Sequence, residues 1–260
     1  MISQTKLCRL LVYVLITIAT SEIVHADTTS RIVTGDVIAN RTVTLASRIM
    51  GRITSAHAEE GDRVSAGQVI VEIEDNEYQA KLRSALAALE RAEAELAHRK
   101  RIKNRLAKLA QKNATSEEAI DEAEYALQVA AANLKAAQAE IDGIRVTLAE
   151  TRIKVPFDAV VIRKLAESGM VTQPGEPLYQ IQDQSRLKFR ARVKERDLAQ
   201  IKLNDTAEIT ISALGDRPVT ATVIRIIPSG DERHTFVVEL DLPEAPGLYP
   251  GMFGKAVFSQ

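Results

Sequence analysis

The residue types that most often carry chemistry are sparse and scattered in this chain. Its four histidines, His25, His57, His98 and His234, lie in different stretches. None belongs to an arrangement of Cys, Asp or Glu residues with metal-site spacing, so they read as surface or structural residues. Cys8 is the single cysteine. No Gly-x-x-x-x-Gly-Lys-Ser/Thr loop is present to cradle phosphate, and no Gly-x-Ser-x-Gly elbow presents a nucleophile. Carboxylates recur among basic residues, as Glu93 and Glu95 do near Lys100, which is the pattern of a solvated helix face. No enzyme activity, catalytic residue, cofactor or metal is expected. The formal charge of -1 is too balanced for electrostatic capture of nucleic acid. With 4% aromatic residues and no Trp, stacking platforms for bases or sugars are not expected either. What remains is recognition and assembly.

Two stretches, residues 51–73 and 159–181, align at a constant offset of 108. Gly61 falls on Gly169, Gly67 on Gly175, Ile70 on Leu178 and Ile73 on Ile181. Ile53 falls on Val161, and Gly51 on Ala159. This is an internal repeat of strand, glycine turn, short strand, glycine turn, strand. The four glycines supply the positive φ that tight turns demand. Val69, Val71 and Ile73 alternate along one strand face, with Ile70 on the other. Two such halves covering one another make a small sandwich, which requires residues 74 and 155 to be close in space.

The stretch between the halves, residues 76–152, is rich in Ala, Leu, Glu, Lys and Gln, lacks Pro, and has Gly143 as its only glycine. Leu82, Leu89 and Leu96 recur at steps of seven, flanked by Ala85 and Ala92. Ile120, Leu127, Leu134, Ile141 and Leu148 do the same, with Ala123, Ala130, Ala137 and Ile144 in the companion position. This is a coiled-coil pattern. It lapses around residues 103–112, and a polar break follows at 111–118. One continuous helix, or a dimeric coiled coil, is the alternative. The polar break and the need to rejoin the two halves favour an antiparallel hairpin with its tip near residues 111–115. A first arm of about 35 residues spans roughly 50 Å. Thr115 with Glu118 fits a capping box, so the second arm starts near Thr115 or Ser116.

Residues 1–26 read as a secretory signal peptide. Lys6 and Arg9 precede a short apolar run, and Val24-His25-Ala26 offers a cleavage site before Asp27. An uncleaved signal anchor is the alternative reading of that run. Cleavage would remove Cys8, leaving a chain without thiols. Residues 31–46 hold one or two strands. Strands are also expected at 187–193, 206–211, 219–227, 235–240 and 254–258, with a short helix at 195–201 and a turn through Gly251. These form a compact antiparallel barrel completed by the N-terminal strand.

The pieces Glu60-Gly61-Asp62-Arg63-Val64-Ser65-Ala66-Gly67-Gln68 and Val155-Pro156-Phe157-Asp158 resemble the split lipoyl-like domain of periplasmic adaptors. That family is the HlyD-like membrane fusion proteins of tripartite RND-type efflux pumps. Ala159 departs from the glycine usual there. Pro250-Gly251-Met252 is similar to the signature near the end of the family's barrel. Adaptors that meet TolC-like channels carry Arg-x3-Leu-x6-Ser at the hairpin tip, and Arg105, Leu109 and Ser116 match it. Arg105 supplies a forked donor, Leu109 an apolar contact, and Ser116 a hydroxyl. Read without the resemblance, they are a solvated arginine, a seam residue and an N-cap.

The resemblance implies a mixed α+β fold: an antiparallel coiled-coil hairpin (76–152) inserted in a split lipoyl-like β-sandwich (49–75 and 153–185), followed by a small antiparallel β-barrel (31–48 and 186–260). It implies a short adaptor without a membrane-proximal domain, located in the periplasm and associated with the inner membrane through partners. Those partners would be an inner-membrane efflux transporter, a TolC-like outer-membrane channel, and further copies in a ring, six in the family. An adaptor of an ABC or major-facilitator exporter would share the fold. A lipoyl carrier domain would present a lysine at the hairpin that is here opened by the helices, and none is found there. A coiled-coil protein with no transport role is a third reading.

Overall fold

The computed structural model describes residues 31–215 and 218–258. The signal segment, with Cys8 and His25, lies outside the described residues. The described residues form two compact units, 38–188 and the combination of 31–37 with 189–215 and 218–258. Strands β1 (Arg31–Ala46) and β8 (Pro177–Lys194) contribute residues to both. Where one or two strands were expected before Ser47, a single 16-residue strand runs through.

In the unit of residues 38–188, β2 (Gly51–Ala56), β3 (Arg63–Val64) and β4 (Val69–Ile73) precede the helices. Strands β5 (Arg152–Lys154), β6 (Ala159–Lys164), β7 (Val171–Thr172) and the first part of β8 follow them. Adding 108 to the first residues of β2, β3 and β4 gives the first residues of β6, β7 and β8. Pairing follows the same rule. β2 pairs with β4, and β6 with β8, each antiparallel. The short strands are exchanged: β3 pairs with β6 of the other half and β7 with β2. Backbone bonds repeat as well. Gly61 N donates to Val161 O at 2.9 Å and Gly169 N to Ile53 O at 2.8 Å. Gly67 N donates to Val155 O, and Gly175 N to Ser47 O, both at 2.8 Å. The two halves are thus related by an approximate twofold and cannot be completed separately.

The core between them is formed by Ile53, Ile70, Val71, Ile73, Val161, Leu178, Tyr179 and Ile181, all buried. Tyr179 keeps its hydroxyl satisfied by donating to Ala58 O at 2.8 Å. Simple alternation fails at one place in each half: Ile70 and Val71 are consecutive and both fully buried, as are Leu178 and Tyr179. A register shift between Val69 and Val71 in the β4–β5 ladder accounts for the first pair; in the second half the shift lies in β6, between Val161 and Arg163, opposite β8. A bulge turns neighbouring side chains to the same side.

Helices α1 (Asn76–Ala110) and α2 (Glu117–Ala149) have 35 and 33 residues. Their feet are joined by the sheet: Val71 is opposite Ile153, and Ile73 N donates to Thr151 O at 2.8 Å. The two helices pack on one another. Ala85, Ala123, Ala130 and Ile141 are their buried residues, so the seam is narrow and built mostly of alanine. Far from the feet, Lys103 Nζ meets Glu124 Oε1 at 2.7 Å across the pair. Glu95 pairs with Arg99 at the next turn rather than with Lys100, because an i,i+4 partner lies above it on the same helix face.

In the other unit, β9 (Thr206–Ile211), β10 (Val219–Ile227), β11 (Thr235–Asp241) and β12 (Phe253–Phe258) form an antiparallel sheet with β1 and β8 at its margins. The β1–β8 pairing closes it. Gly35 of β1 lies opposite Gly254 of β12. A Cβ on Gly35 would meet Phe189 Cε1 at 2.8 Å, and one on Gly254 would meet Phe189 Cε2 at 3.1 Å. The fully buried Phe189 ring therefore occupies the space two missing side chains leave. The short helix α3 spans Glu195–Leu198, less than the 195–201 expected. Ile201 leaves it to become buried, and the chain turns at Asn204, whose φ is +71°.

Candidate docking tip

The turn joining α1 and α2 is built by hydrogen bonds its sequence makes easy. At the end of α1, Asn113 takes a left-handed φ of +51°. Asn113 N donates to Ala110 O at 2.9 Å and Ala114 N to Leu109 O at 3.0 Å. This paired closure satisfies carbonyls that the helix end would leave bare. At the start of α2, Ser116 Oγ accepts from Ala119 N at 3.2 Å. The cap is thus Ser116 and not Thr115, and the Thr115–Glu118 capping box does not form. The tip runs from Gln111 to Ser116, one residue longer than expected.

Leu109 anchors this turn through its carbonyl while its side chain remains 37% exposed. Arg105 is exposed, one turn nearer the feet, and its guanidinium has no ion pair or hydrogen bond among the described residues. Ser116 is exposed and already occupied as a cap. The three residues therefore lie on the last two turns of α1 and at the N-cap of α2. They divide into one free donor, one apolar contact and one cap.

The tip is strongly polarised. Between Lys100 and Ser116 lie Lys100, Arg101, Lys103, Arg105, Lys108 and Lys112, with no carboxylate. Immediately after come Glu117, Glu118, Asp121, Glu122 and Glu124, with no cation before Lys135. Cations at the C-terminal end of α1 and anions at the N-terminal end of α2 each complement the helix dipole. The result is a positive flank and a negative flank side by side.

The five turn glycines have positive φ: +94° at Gly61, +81° at Gly67, +89° at Gly169, +88° at Gly175 and +92° at Gly251. A side chain at Gly61 would meet open space, so its glycine serves backbone conformation alone. Gly251 also clamps β1, donating to Val37 O at 2.7 Å while Val37 N donates to Met252 O at 2.7 Å.

One cluster escaped the sequence reading. Asp183 is buried and accepts from Ser185 Oγ at 2.6 Å, Asn40 Nδ2 at 2.9 Å and Arg41 Nε at 3.1 Å. Burial by itself would raise its pKa, but the hydrogen bonds from Ser185, Asn40 and Arg41 outweigh it and hold the carboxyl at about 2. Arg41 also lies 3.8 Å over the Phe157 ring. Phe157 and Asp158 had been noted only as motif letters. Asp158 Oδ1 accepts from Ala66 N at 2.8 Å, tying the second half-repeat to a turn of the first. Nothing in local spacing signals the 143 positions between Asn40 and Asp183. Among the described residues no cluster of His, Cys, Asp and Glu could hold a metal, and no helix is long and apolar enough to cross a membrane.

Comparison with known proteins agrees with this geometry. Residues 41–184 match the family described as RND MFP, barrel-sandwich hybrid domain. Residues 189–260 match the CusB-like beta-barrel domain. The multidrug resistance protein MdtA of Pantoea ananatis is 32% identical over 142 residues, which is 55% of this chain and 35% of that protein. The aligned region thus spans about a third of that curated relative. Among solved structures, the membrane fusion protein Spr0693 from Streptococcus pneumoniae R6 superposes with a TM-score of 0.74 at 18% identity, covering 89% of this chain and all of that one. MacA from Actinobacillus actinomycetemcomitans superposes with a TM-score of 0.70 at 20% identity, over 89% of this chain and 78% of its own. At such identities the structures share a fold.

Proposed function

Because the chain belongs to the family of RND membrane fusion proteins, we propose that it is a non-enzymatic periplasmic adaptor. It links an inner-membrane RND-type efflux transporter to a TolC-like outer-membrane channel. The division of labour follows the domains: a split lipoyl-like sandwich (49–75 and 153–185), a barrel (31–48 and 186–260) and a coiled-coil hairpin (76–152). Copies assemble side by side into a ring, six in the family it resembles. The hairpins form a sheath and their tips meet the channel. Transport energy comes from the transporter, and the adaptor bridges and seals.

One observation carries this reading. The tip presents a free Arg105 and an exposed Leu109 at the end of two helices rooted in the sandwich. A pair of helices roughly 50 Å long contributes little to so small a fold unless a partner lies at that distance. Arg105 offers a fork of donors to carbonyls or a carboxylate, and Leu109 an apolar contact beside it.

The test is co-purification. Arg105→Asp and Leu109→Asp are each expected to be secreted and folded as the parent, to lose the outer-membrane channel from affinity-purified complexes, and to lose efflux. Retention of both channel and efflux in either variant rejects the tip assignment. Identification of the inner-membrane protein that co-purifies tests the transporter assignment, and an ABC or major-facilitator partner would replace it.

A further inference from the structure

One stretch of the barrel's outer wall combines exposed apolar side chains with cations that are not fully neutralised. It starts at an irregularity in β10. Val223 lies opposite Leu240 and Arg225 opposite Glu239, so Ile224 is an extra residue with no partner in β11. A bulge of this kind turns two successive side chains to one side of the sheet. Ile224 and Arg225 are both exposed, whereas Ala221 and Val223 before them are buried.

On the other side of Ile224 runs the chain that leads into β9. Asn204 N donates to Val223 O at 2.9 Å, and Val223 N to Asp205 O at 2.8 Å. Leu203 and Ile224 flank these bonds, 57% and 42% exposed. The turn that presents Leu203 uses a positive φ at Asn204, a conformation that residues other than glycine seldom adopt. Lys202, just before it, is exposed, and its side chain has no partner among the described residues. The carboxylate of the turn, Asp205, is occupied by Lys202 N at 2.7 Å.

The bulge also brings Arg225 beside Glu239, whose side chain is only 7% exposed. Arg225 Nη1 lies 3.7 Å from one oxygen of that carboxylate, and Arg190 Nη2 of β8 lies 3.6 Å from the other. Both distances are too long for a hydrogen bond. One buried carboxylate thus balances two guanidinium groups, and both forks keep their donors. The outward row of β8 continues with Arg192 and Lys194, alternating with the buried Ala191 and Val193. Arg192 is held by Asp36 at 2.9 Å, and Lys194 has no partner among the described residues.

Exposed aliphatic side chains ringed by cations suit a lipid surface, where the side chains enter the acyl boundary and the cations meet phosphate. These residues are spread over several segments of an outer wall and line no groove. A broad, deformable anionic surface can meet them all at once. We propose that this wall of the barrel binds an anionic phospholipid surface, with Leu203 and Ile224 at the acyl boundary and Lys202, Arg190 and Arg225 on phosphates. The adaptor reading reaches the membrane through partners. Here the chain touches lipid itself, and only the choice of membrane rests on that reading.

Vesicle flotation of residues 27–260 tests it, a span that holds every described residue and omits the apolar run at 10–19. Vesicles of phosphatidylglycerol and phosphatidylethanolamine should float the protein, and vesicles of phosphatidylcholine should not. Salt at about 0.5 M should release most of it. Each cation near an anionic surface strengthens binding roughly fivefold, so Lys202→Gln with Arg225→Gln should weaken it about 25-fold. Arg190 stays beside Glu239 in that variant, so the buried carboxylate keeps a cation. Leu203→Ser with Ile224→Ser should weaken binding about tenfold, with the circular dichroism of both variants unchanged. Lys135→Gln with Arg145→Gln removes equal charge from α2 and should bind as the parent does. No flotation, an equal fall in that control, or binding that neither barrel variant alters would overturn the lipid contact. So would barrel variants that lose the inner-membrane transporter from purified complexes while the parent ignores vesicles, which would give the wall a protein partner instead. Arg105→Asp should float as the parent does, so failure at the barrel leaves tip docking standing, and failure at the tip leaves lipid binding standing.

Discussion

Replacing Asp183 by Asn should weaken the fold in a way that depends on pH. The carboxyl has a folded pKa of about 2 against an ordinary value of 3.8. The group is depressed, so its stabilisation is complete well above 3.8 and fades as pH falls toward 2. At about 1.4 kcal/mol per unit, the ionised form contributes roughly 2 kcal/mol near neutrality. The side chain is only 6% exposed, so solvent screening removes little of this. By linkage, about half remains at pH 3 and little at pH 2. Urea unfolding of residues 27–260, followed by circular dichroism at pH 7, 5 and 3, measures it. Asp183→Asn should lower stability by roughly 2 kcal/mol at pH 7 and 5, and the gap to the parent should shrink to about half at pH 3. A gap that stays constant from pH 7 to 3 would refute the reasoning. The loss would then come from packing or neutral hydrogen bonds, and the ionised carboxylate would not be what joins Asn40 and Arg41 to β8.

Ser116→Ala should cost about 1 kcal/mol at the start of α2, seen as faster hydrogen exchange at the Ala119 amide while exchange in the sandwich stays unchanged. Gly35→Ala should destabilise by several kcal/mol, because its Cβ would sit 2.3 Å from Arg190 O, a backbone atom that cannot turn aside. Gly61→Ala should cost less, about 1–2 kcal/mol from its positive φ alone, so thermal melts should rank the two in that order. Ile141→Ala should cost about 2–5 kcal/mol by opening the largest buried contact of the helix seam, measured by the same melts.

The elements that could be read from sequence were those written in a local period. The heptads marked both helices, and the constant offset between Gly61 and Gly169, or Gly67 and Gly175, marked the repeated half-sandwich. The family resemblance singled out Arg105, Leu109 and Ser116, but not which of them is already engaged. Whether the cap is Thr115 or Ser116 depends on one backbone torsion, since Ser116 has ψ of +156° and so lies outside the helix. The exchange of β3 and β7 between halves left no local trace, because a two-residue strand has no period. The Asp183 cluster and the Phe189 ring over Gly35 and Gly254 were equally hidden. Each depends on residues far apart in sequence, and nothing local marks Gly35 and Gly254 as spaces for a ring.

The exchanged short strands bear on the order in which the chain can fold. β3 cannot pair until β6 has been made, nearly a hundred residues later, and β7 must return to β2 over a similar distance. An unstructured segment of that length would make the closure slow, since its entropy must be lost before the sheet gives anything back. The helix pair changes this. If α1 and α2 zip from their tip, through contacts between residues near in sequence, Ile73 and Thr151 are brought together without waiting for β3 and β7 to pair. On this view the long insertion acts as a closing device for the domain that carries it. The tip proposed to meet a partner would then be where folding of the sandwich begins.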